Sequence, residues 1–194
     1  MEQRPSAMDP IRFTFDERKA TAAAAVFLVE HGGRMPYMKL VKLLYMAERE
    51  SLRRHGRPVF GDKYFSLPLG PVVSTVLDLI KREADPFDEH RNVWSAHVQR
   101  QGWDVALATQ PDLGCLSDAE LEMLREIASV FRALDQWQLS DLTHALPEFR
   151  DPSGSHLPIS PEDILRALSK TDEEVEEVRE DAIERKHFDS IFGA

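Results

Sequence analysis

The stretch from residue 42 to residue 72 constrains the fold of this chain more than any other. It reads KLLYMAERESLRRHGRPVFGDKYFSLPLGPV. A helical pattern, a turn containing glycine and proline, a short apolar run and a Pro-Leu-Gly-Pro turn follow one another without a spacer. This order predicts a helix, a strand and a second helix that pack closely together.

The first of these elements is an amphipathic helix predicted over residues 37–55, ended by Gly56 with Pro58 just beyond it. Leucine and alanine occupy one broad sector of this helix, which we therefore expect to be enclosed on more than one side. The opposite sector holds a basic stripe that we expect to face outward, formed by Lys39, Lys42, Met46, Arg49 and Arg53.

Glu48 is the exception in this helix, because the helical geometry places it among apolar side chains. A carboxylate is costly there unless it is paired or hydrogen-bonded. One interpretation is a structural ion pair that fixes the following turn, with Arg54, Arg57 or Lys63 as the cation. The alternatives are a functional acid or binding contact, and simple exposure.

The turn residues after this helix predict how the chain continues. Gly61 and Asp62 mark a turn, residues 63–67 follow as a strand, and Pro71 suits the first position of a helix over residues 71–82. The glycine-containing turn at Gly70 could bind an anion at the helix N-terminus. It lacks a phosphate-binding motif, so tight packing explains it better.

The remaining pattern predicts a mainly α (α+β) fold, a compact helical domain with a small antiparallel sheet or hairpin. Asp16 caps a predicted helix, and two runs around Gln101 and Gly102 predict a hairpin that could join the strand at 63–67 in a three-stranded sheet. Trp94 and Trp103 are expected in the core or covering the sheet, with an exposed partner anchor as the alternative. The other predicted helices span residues 17–30, 118–134, 139–145, 161–169 and 171–186, and the hairpin strands span 93–100 and 103–109.

Length and charge suggest one domain with tails. We expect a flexible or partly docked arm over residues 1–15, a helical domain over 16–170 and an acidic helix or tail over 171–194. The net charge of −10 is uneven, since residues 1–60 hold 11 Lys and Arg against 7 Asp and Glu, and the rest hold 13 against 27. One cysteine, no signal peptide and no span-length apolar run favour the cytoplasm and exclude an intrachain disulfide.

The acidic C-terminal segment has two interpretations. It is either a solvated helix docked through one apolar edge, formed by Val175, Val178, Ala182 and Ile183, or an acidic surface for a basic partner. In the second case the contacts would lie on an acidic face near Glu173, Glu177 and Glu180.

Motifs for catalysis and cofactor binding are missing from the sequence. There is no HExxH, GxSxG, P-loop, dinucleotide-binding or clustered Cys/His pattern. We therefore expect no catalytic residue, no metal and no cofactor. A hydrolase with dispersed carboxylates and histidines would require a pocket with converging groups, which a sequence does not reveal.

Two blocks of sequence resemble the Panacea domain, the SocA-like antitoxin family. The second block is Leu139-Ser140-Asp141-Leu142-Thr143-His144, followed by Pro147 and Phe149. Leu69 and Phe149 depart from the family pattern, where a polar residue and a tryptophan are usual. The first block lies within residues 42–72 and includes Glu48, Gly56, Pro58, Gly61, Asp62, Gly70 and Pro71, whose expected role is to fit the scaffold together.

The resemblance implies a mostly helical cytoplasmic domain that neutralises a toxin protein by direct contact, with the toxin usually encoded by the adjacent gene. It also suggests a second role as an adaptor that presents the toxin to the ClpXP protease. The surface candidates for the partner are Met46, Arg49, Arg53, Glu173, Glu177 and Glu180. The alternative function is a DNA-binding regulator that uses Lys39, Lys42, Arg49 and Arg53.

Overall fold

A computed structural model describes residues 10–82 and 93–192 of the chain. Within these residues eight helices form most of the fold, and two three-stranded antiparallel sheets complete it, which confirms the predicted mainly α class. The predicted arm at residues 1–9 lies outside the described residues. The helices are α1 (Glu17–Glu30), α2 (Tyr37–His55), α3 (Ser74–Lys81), α4 (Val93–His97), α5 (Asp118–Val130), α6 (Gln136–His144), α7 (Pro161–Ala167) and α8 (Asp172–Phe192).

The first two predicted helices, α1 and α2, have the bounds that the sequence indicated. Asp16 caps α1 by accepting a hydrogen bond from the backbone N–H of Lys19, and Gly56 ends α2 in the left-handed conformation with φ of 65°. The alanine-rich centre of α1 is buried, so neighbouring helices can approach its backbone closely. Helix α2 packs against α1, α5 and α6 and is therefore enclosed on several sides.

The sheet pairing differs from the prediction. The hairpin of β4 (Val98–Gln101) and β5 (Asp104–Leu107) pairs with β1 (Arg34–Pro36), in the order β1-β5-β4. The strand β2 (Tyr64–Leu67) instead pairs with β3 (Gly70–Val73) and β6 (Leu157–Ile159), in the order β3-β2-β6. The predicted single sheet joining 63–67 to the hairpin is therefore wrong.

The segment predicted as a helix from Pro71 onward begins as a strand. Pro71 lies opposite Ser66 in the β2–β3 hairpin, and the helix starts only at Ser74. Strand β3 is at the edge of its sheet, where a proline without an N–H is tolerated. The prediction of a helix start at Pro71 is wrong because strand pairing outweighs the local preference of the proline.

The predicted boundaries around α4, α5 and α6 also need correction. The residues just before β4 form the short helix α4 with Trp94 buried, where an extended strand over 93–100 was predicted. Helix α5 ends at Val130 rather than at residue 134, and α6 begins at Gln136 because Asp135 caps it.

Residues just before α1 are docked in the structure. Ile11 is buried, and its backbone N–H donates to Oε1 of Glu162 on α7 over 2.7 Å. The backbone N–H of Asp16 donates to the carbonyl of Phe60 over 2.8 Å. The described part of this predicted arm is therefore docked against α7 and the loop that follows α2.

Candidate functional site

Glu48 organises the loop that follows α2. Its side chain is fully buried, and the two carboxylate oxygens bind consecutive backbone amides of that loop. Burial raises the pKa of Glu48 to about 7, against the opposing effect of the hydrogen bonds from Phe60, Tyr64 and Asp62. The donors, at 2.8–3.2 Å, are the N–H groups of Val59, Phe60, Gly61 and Asp62 and the hydroxyl of Tyr64.

These contacts correct the predicted ion pair at Glu48. Glu48 does fix the turn, but through backbone N–H groups instead of a cation. Arg54, one of the predicted cations, bonds to Glu50 and Glu126 on the surface. Simple exposure of Glu48 is also excluded. Sequence reasoning identified a buried carboxylate but could not show that the chain folds back around it.

Asp62 continues this arrangement by capping the next helix. Its Oδ1 accepts the backbone N–H of Thr75 over 2.8 Å, and its Oδ2 accepts that of Val76 over 3.0 Å. Both donors lie in the first turn of α3, whose N–H groups have no partner within the helix. Asp62 is buried, and burial raises its pKa. The capped position explains why α3 begins at Ser74.

Lys42 and Gly70, in the first block of family-like sequence, lie close to residues of the second block. The Lys42 Nζ donates to the carbonyl of Pro71 over 2.9 Å. Gly70 has φ of 94°, and a Cβ there would lie 2.8 Å from both Lys42 Nζ and Thr143 Oγ1. The hydroxyl of Ser140 donates to the carbonyl of Leu69 over 2.9 Å. Gly70 is therefore required by a left-handed backbone and by close packing, as the sequence indicated.

The buried amine of Lys42 makes stability depend on pH. Burial lowers its pKa from 10.5 to about 7, so between these values the unfolded chain binds more protons than the folded one. From this group, the free energy of unfolding is expected to rise with pH across that window, with a limiting slope of about 1.4 kcal/mol per unit. Lys42→Met should flatten the slope measured by urea unfolding. An unchanged slope would contradict the assignment of the pH dependence to the buried amine of Lys42. Lys81→Met, at the exposed end of α3, serves as the control.

Most of the basic stripe of α2 does not face solvent as predicted. Lys42 is 1% exposed and Lys39 is 7% exposed, and Lys39 Nζ donates to the carbonyl of Arg132 over 3.1 Å. Burial also lowers the pKa of Lys39. Two of the four residues on which the DNA-binding alternative depended, Lys39 and Lys42, are therefore buried, whereas Arg53 is exposed.

The three partner-contact candidates on α2 have different environments. Arg49 Nε donates to Oε1 of Glu148 over 2.7 Å, and the hydroxyl of Tyr45 donates to the same oxygen over 2.9 Å. The Glu148 side chain is 0% exposed, so Arg49 serves as its counter-ion. Met46 is half-buried, and Arg53 is exposed beside Glu50. Sequence reasoning missed Glu148, which follows Pro147 without any pattern that marks it as buried.

The acidic face of α8 is exposed, and its opposite edge is docked. Glu173, Glu177 and Glu180 are all exposed. The docked edge contains Arg179, whose Nη1 donates to Glu162 on α7 over 3.1 Å. Val175, Val178 and Ala182 are buried in this edge, whereas Ile183 is exposed. The docked apolar edge is confirmed for three of its four predicted residues, and the acidic face stays a candidate binding surface.

Exposed aromatic residues gather where α1 ends and α2 begins. We define the aromatic end as Tyr37, Arg100, Trp103, Val130 and Trp137. Trp103 is 77% exposed and Trp137 is 56% exposed. The Trp103 ring stacks on Tyr37 with centroids 6.1 Å apart, and the guanidinium of Arg100 lies 5.3 Å from the Tyr37 centroid.

The polar contacts of α2 connect the two tryptophans to the same end of the molecule. Lys39 near the start of α2 bonds to the carbonyl of Arg132, and it interacts electrostatically with Asp135, the cap of α6. Trp137 follows that cap directly. Trp103 is thus an exposed aromatic, as the alternative interpretation held. No pattern in the sequence singled out Trp137 as exposed.

The described residues contain neither a cluster of metal ligands nor a membrane-spanning helix. No group of three or more His, Cys, Asp or Glu there could hold a metal ion. No helix in that part of the chain is long and apolar enough to span a membrane.

The fold defines a mainly helical protein in which the buried glutamate of the central helix organises the loop, hairpin and helix that follow. The family model described as antitoxin SocA-like, Panacea domain, matches residues 40–148. This match covers more than half of the chain and includes both blocks of similar sequence, so the chain belongs to that family. No curated protein and no solved structure matched the chain.

Proposed function

We propose that this protein is an antitoxin that neutralises a toxin protein by binding it directly. The observation that carries the proposal is the family match over residues 40–148. The buried polar groups within that range support a binding role, because Glu48, Asp62 and Glu148 are engaged by the protein's own backbone and side chains. The proposal requires no catalytic step, metal or cofactor.

The aromatic end offers the strongest anchors for a protein partner. Tryptophan, tyrosine and arginine are the residues most enriched among those that dominate binding energy at interfaces. Trp103, Tyr37 and Arg100 combine all three in one stacked group, with Trp103 mostly exposed. Arg53 and the acidic face of α8 remain charged candidates that could steer encounter. We no longer favour Arg49, because it neutralises Glu148.

Removing the aromatic anchors is expected to weaken toxin binding strongly. Trp103→Ala combined with Trp137→Ala should raise the Kd about tenfold to a hundredfold, as expected for two interface anchors. The fold should be retained because both side chains are largely exposed. Titration of the purified proteins by calorimetry measures the change. Leu69→Ala, at the exposed tip of the β2–β3 hairpin, is the control, and equal affinity of all three proteins would exclude the aromatic end.

The function itself is tested with the product of the adjacent gene. Expression of that product alone should arrest growth, and co-expression of this protein should restore it. The two proteins should also co-elute in size-exclusion chromatography. A neighbouring product that stays toxic in the presence of this protein, and elutes separately from it, would contradict the proposal.

We further propose that the protein can act as an adaptor delivering the toxin to ClpXP. This role rests on the family alone and is separable from sequestration. The half-life of the toxin after synthesis is blocked should shorten when this protein is present and lengthen when the protease is deleted. If neutralisation persists while the half-life stays constant, sequestration alone accounts for the function.

A further inference from the structure

A groove lies at the end of the molecule opposite the aromatic end. It encloses about 330 Å³ between residues 12–16, the loop over 57–61, the start of α5 and the middle of α8. Asp16 and Lys19 place it at the start of α1, and Ser117 and Glu120 place it at the start of α5. The aromatic end lies at the opposite ends of α1 and α5. These helices have 14 and 13 residues, so at a rise of 1.5 Å per residue the groove and the aromatic end are about 20 Å apart.

Four of the five cations that line this groove lack acidic partners. Arg12, Arg57, Arg185 and Lys186 have no ion pair or hydrogen bond with other parts of the chain that the structure describes. All four are exposed. They come from three different segments, so their convergence is a property of the fold. We define the basic groove by these four residues.

The two carboxylates in the lining are already engaged. Asp16 caps α1 by accepting the N–H of Lys19, and Glu120 accepts from Lys19 Nζ over 2.8 Å and from the N–H of Ser117. Hydrogen bonds from Lys19 and Ser117 lower the pKa of Glu120 against the effect of burial. Both carboxylates are therefore bonded within the protein, and the unpaired charges of the groove are positive.

The walls of the groove are fixed by the scaffold. Glu48 holds the loop over 57–61 through its amides, and a Cβ at Gly61 would lie 2.6 Å from the carbonyl oxygen of Thr14. A Cβ at Gly56 would lie 2.9 Å from Val178, so α8 also packs tightly against the end of α2. Binding at such a preformed site costs little ordering of the backbone.

We infer that the basic groove binds an extended acidic segment of a partner protein. In a chain of net charge −10, a groove of unpaired cations selects for negative charge at that place. Apolar lining from Phe13, Pro58 and Ala182 suits the methylene groups of a peptide. A nucleic acid fits less well, because its evenly spaced phosphates would extend onto the acidic surface of α8.

The test uses the full-length protein and a labelled peptide of alternating Glu and Ser. Fluorescence anisotropy should show binding that weakens as salt is raised, because the contact is between exposed charges. The same peptide with Gln in place of Glu should not bind. Equal binding of the Glu and Gln peptides, or tighter binding of a single-stranded oligonucleotide than of the Glu peptide, would overturn the inference.

Charge reversal locates the contact. Arg57→Glu combined with Arg185→Glu should weaken peptide binding about tenfold or more, because two attractive charges become repulsive. Lys81→Glu combined with Arg125→Glu changes the net charge equally on exposed residues outside the groove and should leave the affinity within about twofold. An equal loss in both variants would show that only the overall charge matters, and would overturn the site.

Cys115 provides an independent readout of occupancy. It is the single cysteine of the chain and lines the groove, half-buried. Bound peptide should slow its alkylation by a maleimide, and Arg57→Glu with Arg185→Glu should abolish this protection. Unprotected Cys115 at a saturating peptide concentration would place the peptide elsewhere. Peptide binding requires no toxin, so this site can fail while toxin neutralisation stands, and the reverse also holds.

Discussion

Glu48→Ala is expected to lower the free energy of unfolding by about 4 kcal/mol or more, which is at the exceptional end for single substitutions. The substitution leaves four backbone N–H groups and the Tyr64 hydroxyl without their acceptor in a fully buried site. Each unsatisfied buried donor costs about 1–3 kcal/mol, reduced wherever the loop can open to water. The loop over 59–62 should therefore detach, and with it the cap that Asp62 provides to α3.

Two further variants separate the effect of the acceptors from that of the charge. Glu48→Gln keeps one acceptor oxygen but directs an NH₂ group at two of the donors, so we expect an intermediate loss. Glu50→Ala, two residues away, removes a carboxylate that bonds only to Arg53 and Arg54 at the surface, and exposed ion pairs contribute about 1 kcal/mol or less. Urea unfolding followed by circular dichroism measures all three. Similar values for Glu48→Ala and Glu50→Ala would refute the structural role assigned to Glu48.

The Glu48 variants should also affect the basic groove. One wall of the groove is the loop that Glu48 holds, so Glu48→Gln should weaken peptide binding even under conditions in which the protein is folded. Amide hydrogen exchange of Val59 and Phe60 would report this opening directly, because both N–H groups are protected by the carboxylate. Glu48, a residue of the first family-like block, thus supports the basic groove through the loop that it holds.

Local signals predicted the parts of the fold that depend on neighbours in sequence. Asp16 and Gly56 bounded α1 and α2 correctly, and the helix predicted from residue 118 begins there because Ser117 and Glu120 form a capping box. These features act within one turn of the chain, so their physics is visible in the sequence. The predicted helix start at Pro71 was wrong because Pro71 pairs with Ser66 on the neighbouring strand of a hairpin.

Pairing between strands far apart in the chain could not be predicted from the sequence in the same way. The strands Arg34–Pro36 and Leu157–Ile159 are too short to produce a periodic signal, yet they complete the two sheets. For the candidate site, the sequence correctly predicted that Glu48 is buried. It predicted a cation as the partner of this carboxylate, whereas the structure has backbone amides there. It also treated Lys42 as solvent-facing, since a helical wheel cannot show that a second layer covers the polar sector.

Arg49→Met is expected to lower the free energy of unfolding by about 3–5 kcal/mol, the usual cost of breaking a buried ion pair by removing one partner. The Glu148 carboxylate is 0% exposed and would retain only the hydroxyl of Tyr45 as a donor. Burial and the charge of Glu148 hold the pKa of Tyr45 well above its ordinary value, so that hydroxyl stays a donor. One neutral hydrogen bond does not replace the guanidinium.

A double variant decides whether Arg49 acts through stability or through a partner. Arg49→Met with Glu148→Gln removes both charges and keeps an acceptor for Tyr45, so most of the lost stability should return. Arg53→Ala, at a side chain 52% exposed, should cost about 1 kcal/mol or less. If the double variant regains both stability and toxin neutralisation, Arg49 is a scaffold residue. If it regains stability but leaves the toxin active, Arg49 contacts the partner and its assignment as the counter-ion of Glu148 is incomplete.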